Sequence, residues 1–160
     1  MRAGRHPIAA VVAATLLAGG AVQAADLEEV VGRHMVAQAR LAAHLVAVAE
    51  GGGMAPEAIN AILVDVAERS AIDEFWITDA DGRAYLTNTG IDFTFDPDPA
   101  LQPQASAFWA LLTGEAEVVV QEAQKREIDD RVFKYVAVAG VDQPRIVQIG
   151  IDATSLQAPR

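Results

Sequence analysis

Cysteine is absent from all 160 residues, which removes disulfides, zinc knuckles, iron–sulfur centres, thiolate nucleophiles and lipid-modified cysteine anchors. Positive charge is also scarce. Twelve Lys/Arg stand against 22 Asp/Glu, a formal net charge of −10, and the basic residues are scattered, so a nucleic-acid surface is excluded. Catalytic fingerprints are missing too: there is no Gly-x-Ser-x-Gly, His-Glu-x-x-His, phosphate-cradling glycine loop or dinucleotide motif. The serines are Ser70, Ser106 and Ser155, and the adjacent carboxylates Asp129-Asp130 read as a solvated turn, so no enzymatic activity is expected. Neither is a metal or other cofactor. His34 and His44 are ten residues apart, about 80° out of phase on a helix. Asp79-Ala-Asp-Gly82 is followed by Arg83 and lacks the distal Glu of a calcium loop, which makes it a turn.

Hydrophobic residues, at 52%, suffice for one folded domain. Some of them belong to a leader. Arg2 and Arg5 precede an uncharged apolar stretch from Ile8 to Leu17, and Val22-x-Ala24 has the small-residue pattern of a cleavage site. Residues 1–24 therefore read as a secretory signal peptide cut after Ala24. A retained anchor would need ~20 apolar residues, and Gly19-Gly20 interrupts this stretch. Loss of Arg2 and Arg5 leaves 10 basic against 22 acidic residues, and a periplasmic or secreted, soluble protein is expected.

Beyond the leader, Asp26 and Glu29 have capping-box spacing, and apolar residues recur every three or four positions from Leu27 to Glu50, predicting one long helix ended by Gly51-Gly-Gly53. Pro56-Glu57 opens a second, shorter helix to about Arg69. The period then changes to two. Residues 72–78 and 83–88 flank Asp79-Ala-Asp-Gly82 as a hairpin. Residues 89–103 carry Pro97, Pro99 and Pro103 and are expected as a loop. Gln104–Thr113 reads as a short helix stopped by Gly114, and three further strands are expected over 116–121, 132–139 and 145–151. This order predicts an α+β domain: a five-stranded antiparallel sheet with the long helix on one face and a helix-plus-loop crossover on the other.

A long N-terminal helix, a short second one, Phe75-Trp-Ile-Thr-Asp-Ala-Asp-Gly82, a loop, Phe108-Trp-Ala-Leu-Leu-Thr-Gly114, a valine strand and Arg131-Val-Phe-Lys-Tyr-Val-Ala-Val138 follow one another. In this order the chain, from about Leu27 to Ile151, resembles a single Cache domain, the PAS-like extracytoplasmic sensor module of bacterial chemoreceptors and sensor kinases. The resemblance implies a small-molecule binding domain, often for organic acids, amino acids or similar polar metabolites. Receptors of that family continue into a membrane segment and a cytoplasmic output region, which do not follow here, so the likeness is to a free-standing secreted form. Such a protein would present its ligand to a membrane sensor, transporter or chemoreceptor. The organisation expected is a leader over 1–24, the long helix and glycine turn over 25–53, the Cache-like domain over 54–152 with the helix packed on it, and a polar tail over 153–160. The alternative function is a protein-interaction module, a homodimer or receptor-docking unit built on the Leu27–Glu50 helix, with a vestigial pocket.

Candidate ligand contacts follow from strand alternation. Lys134 shares a face with Val132, Val136 and Val138, where a cation needs a partner: a ligand carboxylate or a neighbouring acid. Tyr135 points to the opposite face, so only one of the two can line a given pocket. Arg126 could clamp a carboxylate through two parallel hydrogen bonds, or belong with Lys125 and Glu127 to a solvated loop. Trp76 and Thr78 share a face of one strand, and Tyr85 and Thr87 a face of the next, so Trp76, Thr78 and Tyr85 could wall a pocket, although core packing is the common fate of a Trp. Gln148 is an uncharged polar group in an apolar strand and needs a hydrogen-bond partner.

Overall fold

The computed structural model describes the backbone of residues 9–154 and the side chains of residues 27–154. Residues 1–8 of the expected leader and residues 155–160 of the expected polar tail lie outside the described residues. Helix α1 runs from Ala9 to Gly51, so the backbone is already helical before Asp26, which is not the helix start in the full chain. The alanine-rich segment ahead of it favours helix and holds only Gly19-Gly20 as breakers. Residues up to Val31 form one unit and residues from Gly32 another. Among the described residues no helix is long and apolar enough to cross a membrane.

At its other end α1 stops at the glycine triplet, where Gly53 has φ +78° and Met54 N–H donates to the Ala49 carbonyl at 2.9 Å. Helix α2 spans Pro56–Glu68 with the proline in its first turn and Glu57 beside it. Both helices bury an apolar stripe: Met35, Ala39, Ala43 and Val46 from α1, Ile59 and Leu63 from α2.

The strands are β1 (Glu74–Thr78), β2 (Ala84–Thr87), β3 (Val118–Val120), β4 (Gln124–Lys125), β5 (Val132–Ala139) and β6 (Ile146–Asp152). All pairings are antiparallel, in the order β2-β1-β6-β5-β3, with β4 pairing to β5 off that path. The sequence predicts five strands, and six are present among the described residues. The extra one, β4, has two residues and no apolar alternation, so no period announces it. The expected helix at Gln104–Thr113 is a 3₁₀ turn over Ala105–Trp109 followed by one α-helical turn, α3 (Ala110–Thr113), stopped by Gly114 at φ +78°.

Alternation divides the sheet into two buried faces. Phe75, Ile77, Val136, Val138, Val147 and Ile149 form one. Trp76, Phe133, Tyr135, Ala137 and Ile146 form the other and pack with Phe95, Ala105, Phe108 and Leu111 from the crossover. The Asp79–Gly82 turn organises that cover. Asp79 Oδ1 accepts the N–H groups of Asp81 and Arg83 at 3.0 and 2.9 Å, and Gly82 takes φ +82° with Phe95 O 2.9 Å and Trp109 Cζ3 2.7 Å from where a Cβ would stand. Residues 93–95 then fold back along β2, with Ala84 N–H to Phe93 O and Phe95 N–H to Gly82 O, both 2.9 Å. Phe93 is thereby brought edge-on to Trp76 at 5.6 Å between ring centroids.

Gly150 occupies the centre of β6, paired with Glu74 on one side and Tyr135 on the other. A Cβ there would collide with Tyr135 Cε1 and lie 2.8 Å from Cδ1; the missing side chain is what lets the ring lie across β6. Gly150→Ala is expected to displace that ring and cost about 1–3 kcal/mol by overpacking. Urea unfolding should show a lower midpoint at unchanged slope.

Candidate functional site

The site lies between the crossover and the sheet face that carries Trp76. β1 supplies Trp76, β5 Tyr135 and β6 Gln148, with Trp76 and Gln148 directly paired in register. The folded-back loop supplies Phe93 and Phe95, the start of the 3₁₀ turn Gln104 and Phe108, and the segment between β4 and β5 Arg126 and Glu127; together these line a cavity of about 20 Å³. A space of that size admits one water molecule. A larger ligand requires the cover to move.

Under the cavity runs a buried polar network centred on Glu74, which is 5% exposed. Its carboxylate accepts from Trp76 Nε1 at 3.0 Å, from Tyr135 Oη at 2.8 Å and from Arg126 Nη1. Arg126 turns its other edge to Asp129, donating from Nε to Oδ1 at 2.7 Å and from Nη2 to Oδ2 at 2.5 Å. Its guanidinium also stacks 4.4 Å above the Phe133 ring. The paired hydrogen bonds from Arg126 hold the Asp129 carboxyl well below the usual carboxylate range, and Arg131 adds to that pull. Burial, reinforced by the charge of Glu74, pushes the Tyr135 hydroxyl well above the usual tyrosine range, so it remains a donor. Glu127 Oε1 accepts the backbone N–H groups of Gln104 and Ala105, at 2.5 and 3.2 Å, and so fastens the start of the 3₁₀ turn to the segment between β4 and β5.

Of the residues singled out in the sequence, Trp76, Arg126, Tyr135 and Gln148 meet at this cavity. Trp76 belongs to the apolar core as well. Lys134 is on the opposite face, 2% exposed, donating to the Gln121 carbonyl at 2.9 Å and lying close beneath Gly32 of α1. Thr78 closes the far end of β1, where its Oγ1 donates to Asp79 O at 2.8 Å and accepts the Ile146 N–H at 3.0 Å. Tyr85 joins a second cluster. The β1–β2 register shifts between Ile77 and Thr78, and the Tyr85 hydroxyl donates to Glu50 Oε1 at 2.5 Å while accepting from Arg145 Nη1 at 2.7 Å. Arg145 also donates to Glu50 at 2.7 Å and to Asp142 at 3.0 Å.

Sequence reasoning passed over Glu74, Gln104 and Glu127. Glu74 carried a usable signal: it is two residues from Trp76 and therefore on the same strand face, the argument that singled out Lys134. Gln104 and Glu127 carried none, because both act from irregular segments. The site offers aromatic walls, two side-chain amides and a guanidinium already bound to two carboxylates, which is equipment for holding a small molecule. No protein-family model matches the chain, and no curated protein is similar to it in sequence.

Proposed function

We propose that this chain is a Cache-type, PAS-like binding protein for a small polar metabolite, exported by its leader to the periplasm or beyond and acting through a membrane sensor, transporter or chemoreceptor. One observation carries the reading: polar and aromatic side chains from three strands and from the crossover converge on one cavity between the sheet and its cover. Its lining, mostly aromatic with a few placed polar groups, is the kind that small-ligand sites use, and the cover opens to admit a ligand larger than water. A thermal-shift screen of amides, amino acids and organic acids tests it. A ligand present at 100 times its Kd should stabilise the fold by about 2.7 kcal/mol, and the shift should saturate. If no compound in the panel moves the transition, the reading fails.

A second reading, an interaction module, has its own observation. Leu41, Leu45, Leu63, Val66 and Phe75 line an apolar groove of about 380 Å³ between α1, α2 and β1, and Leu41 is 71% exposed. From Val30 to Ala49 the helix α1 holds no acidic residue and carries Arg33 and Arg40, whereas α2 carries Glu57, Asp65 and Glu68. A second copy related by a twofold axis would cover this groove and have its own covered in return. Sedimentation analysis separates the two readings: a monomer at all concentrations removes the second.

A further inference from the structure

The charges around the cavity decide what kind of ligand it takes. Glu127 and Arg126 are the charged groups that line it among the described residues, and behind them Glu74 and Asp129 hold Arg126 while Arg131 shares Asp129. Both cations are already engaged: Arg126 with Glu74 and with Asp129 at 2.5 Å, Arg131 with Asp129 at 3.1 Å. An incoming carboxylate would have to displace Glu74 from Arg126, and the Glu74 side chain is only 6% exposed. A buried charge stripped of its partner is strongly destabilising, so Glu74 holds the place a ligand anion would need. This is discrimination by repulsion as well as by fit.

A second observation points to what the cavity does accept. Gln104 lines it and is only 8% exposed, yet its Nε2 is a buried donor with no acceptor among the described residues. Leaving such a donor unmade is costly, and a neutral oxygen acceptor satisfies it without bringing negative charge near Glu74. The remaining wall is aromatic: Trp76, Phe93, Phe95 and Phe108.

We infer that the pocket selects a small uncharged ligand bearing a carbonyl-type acceptor, with Gln104 as its donor and Glu74 as the internal anion that excludes the matching carboxylic acid. The inference rests on the binding reading above and narrows it, against the organic acids implied by the family resemblance. Acetamide and acetate, nearly isosteric and different in charge, are the probes. Each is titrated at pH 7 into the protein while NMR follows the Trp76 Nε1–H and Gln104 side-chain amide resonances. Acetamide should shift both saturably, with a Kd at least about tenfold lower than that of acetate, the penalty for a carboxylate brought beside Glu127 while Arg126 is held by Glu74 and Asp129. Gln104→Met should weaken acetamide roughly two- to tenfold, the worth of one neutral hydrogen bond. Glu74→Gln, which releases one edge of Arg126, should tighten acetate and shrink the preference; Asp129→Asn, releasing the other edge, serves the same purpose should the first variant fail to fold. If acetate or methylammonium binds the wild type as tightly as acetamide, or if neither release of Arg126 alters the preference, the selectivity is overturned while binding stands. If no probe moves either resonance, binding at this cavity fails and the inference with it.

Discussion

Arg126→Met is expected to lose about 3–5 kcal/mol of folding stability at pH 7, the range observed when one partner is removed from a buried ion pair. The side chains of Arg126 and Glu74 are 3% and 6% exposed, so Glu74 would be left as a buried carboxylate with only Trp76 and Tyr135 as donors. Urea unfolding measures the loss. The double variant Arg126→Met/Glu74→Gln should recover a large part of it, because removing both charges removes the uncompensated one. Acid adds an independent readout through Asp129. Its carboxyl is held below the usual range in the folded protein, so its stabilising contribution is complete above the unfolded-state value of about 3.9 and is lost as the pH falls towards the folded value. Wild-type stability should therefore decline below about pH 4, and that decline should be shallower in Arg126→Met, where Asp129 has lost its two strongest donors. A stability loss under about 1 kcal/mol in the single variant would contradict the network.

Arg145→Met should cost about 3 kcal/mol, the lower end of the same range, because the partners Glu50 and Asp142 are 24% and 35% exposed while Arg145 itself is 1% exposed. The Tm should fall by about 10 °C for a domain of this size. The physical consequence is local as well. Arg145 ties the last turn of α1 to β2 and to the β5–β6 turn through Glu50, Tyr85 and Asp142, so amide exchange in residues 47–51 should accelerate more than exchange at the centre of β5. Against burial, which would raise it, the hydrogen bonds from Arg145 and Tyr85 keep the Glu50 carboxyl low. Arg145→Lys should recover only part of the loss, since an ammonium cannot reproduce a planar fork that reaches three oxygens. An unchanged Tm in Arg145→Met would show that the cluster contributes no net stability.

Both clusters join residues far apart in the chain, and that is where sequence reading stopped. Arg126 was identifiable as a cation able to grip a carboxylate; that the carboxylate is Glu74, 52 positions away, follows only once β1, β6 and β5 lie side by side and Gly150 between them admits the Tyr135 ring. Strict alternation puts Tyr85 on the face of Thr87, which pairs with Trp76, but the register shifts beside it and its hydroxyl reaches Glu50 instead. Lys134 and Tyr135 were assigned to opposite faces correctly, because β5 runs eight residues without a bulge and a period of two holds over such a stretch.

By itself the sequence determined the elements whose signals are local: the helix stop at Gly51–Gly53, the proline start of α2, the Asp-Gly turn, the five longer strands and the two-sided burial of the sheet. These depend on backbone conformation and on apolar periods within a dozen residues, so adjacent residues suffice to specify them. Only the tertiary structure decided which polar groups meet. It chose Glu74 as the partner of Arg126, sent Lys134 and Tyr85 elsewhere, and brought Gln104 and Glu127 from irregular segments to the cavity. A hydrogen bond depends on distance and direction between chain-distant atoms, and those are set by strand order, register and the single place in β6 where a side chain is missing.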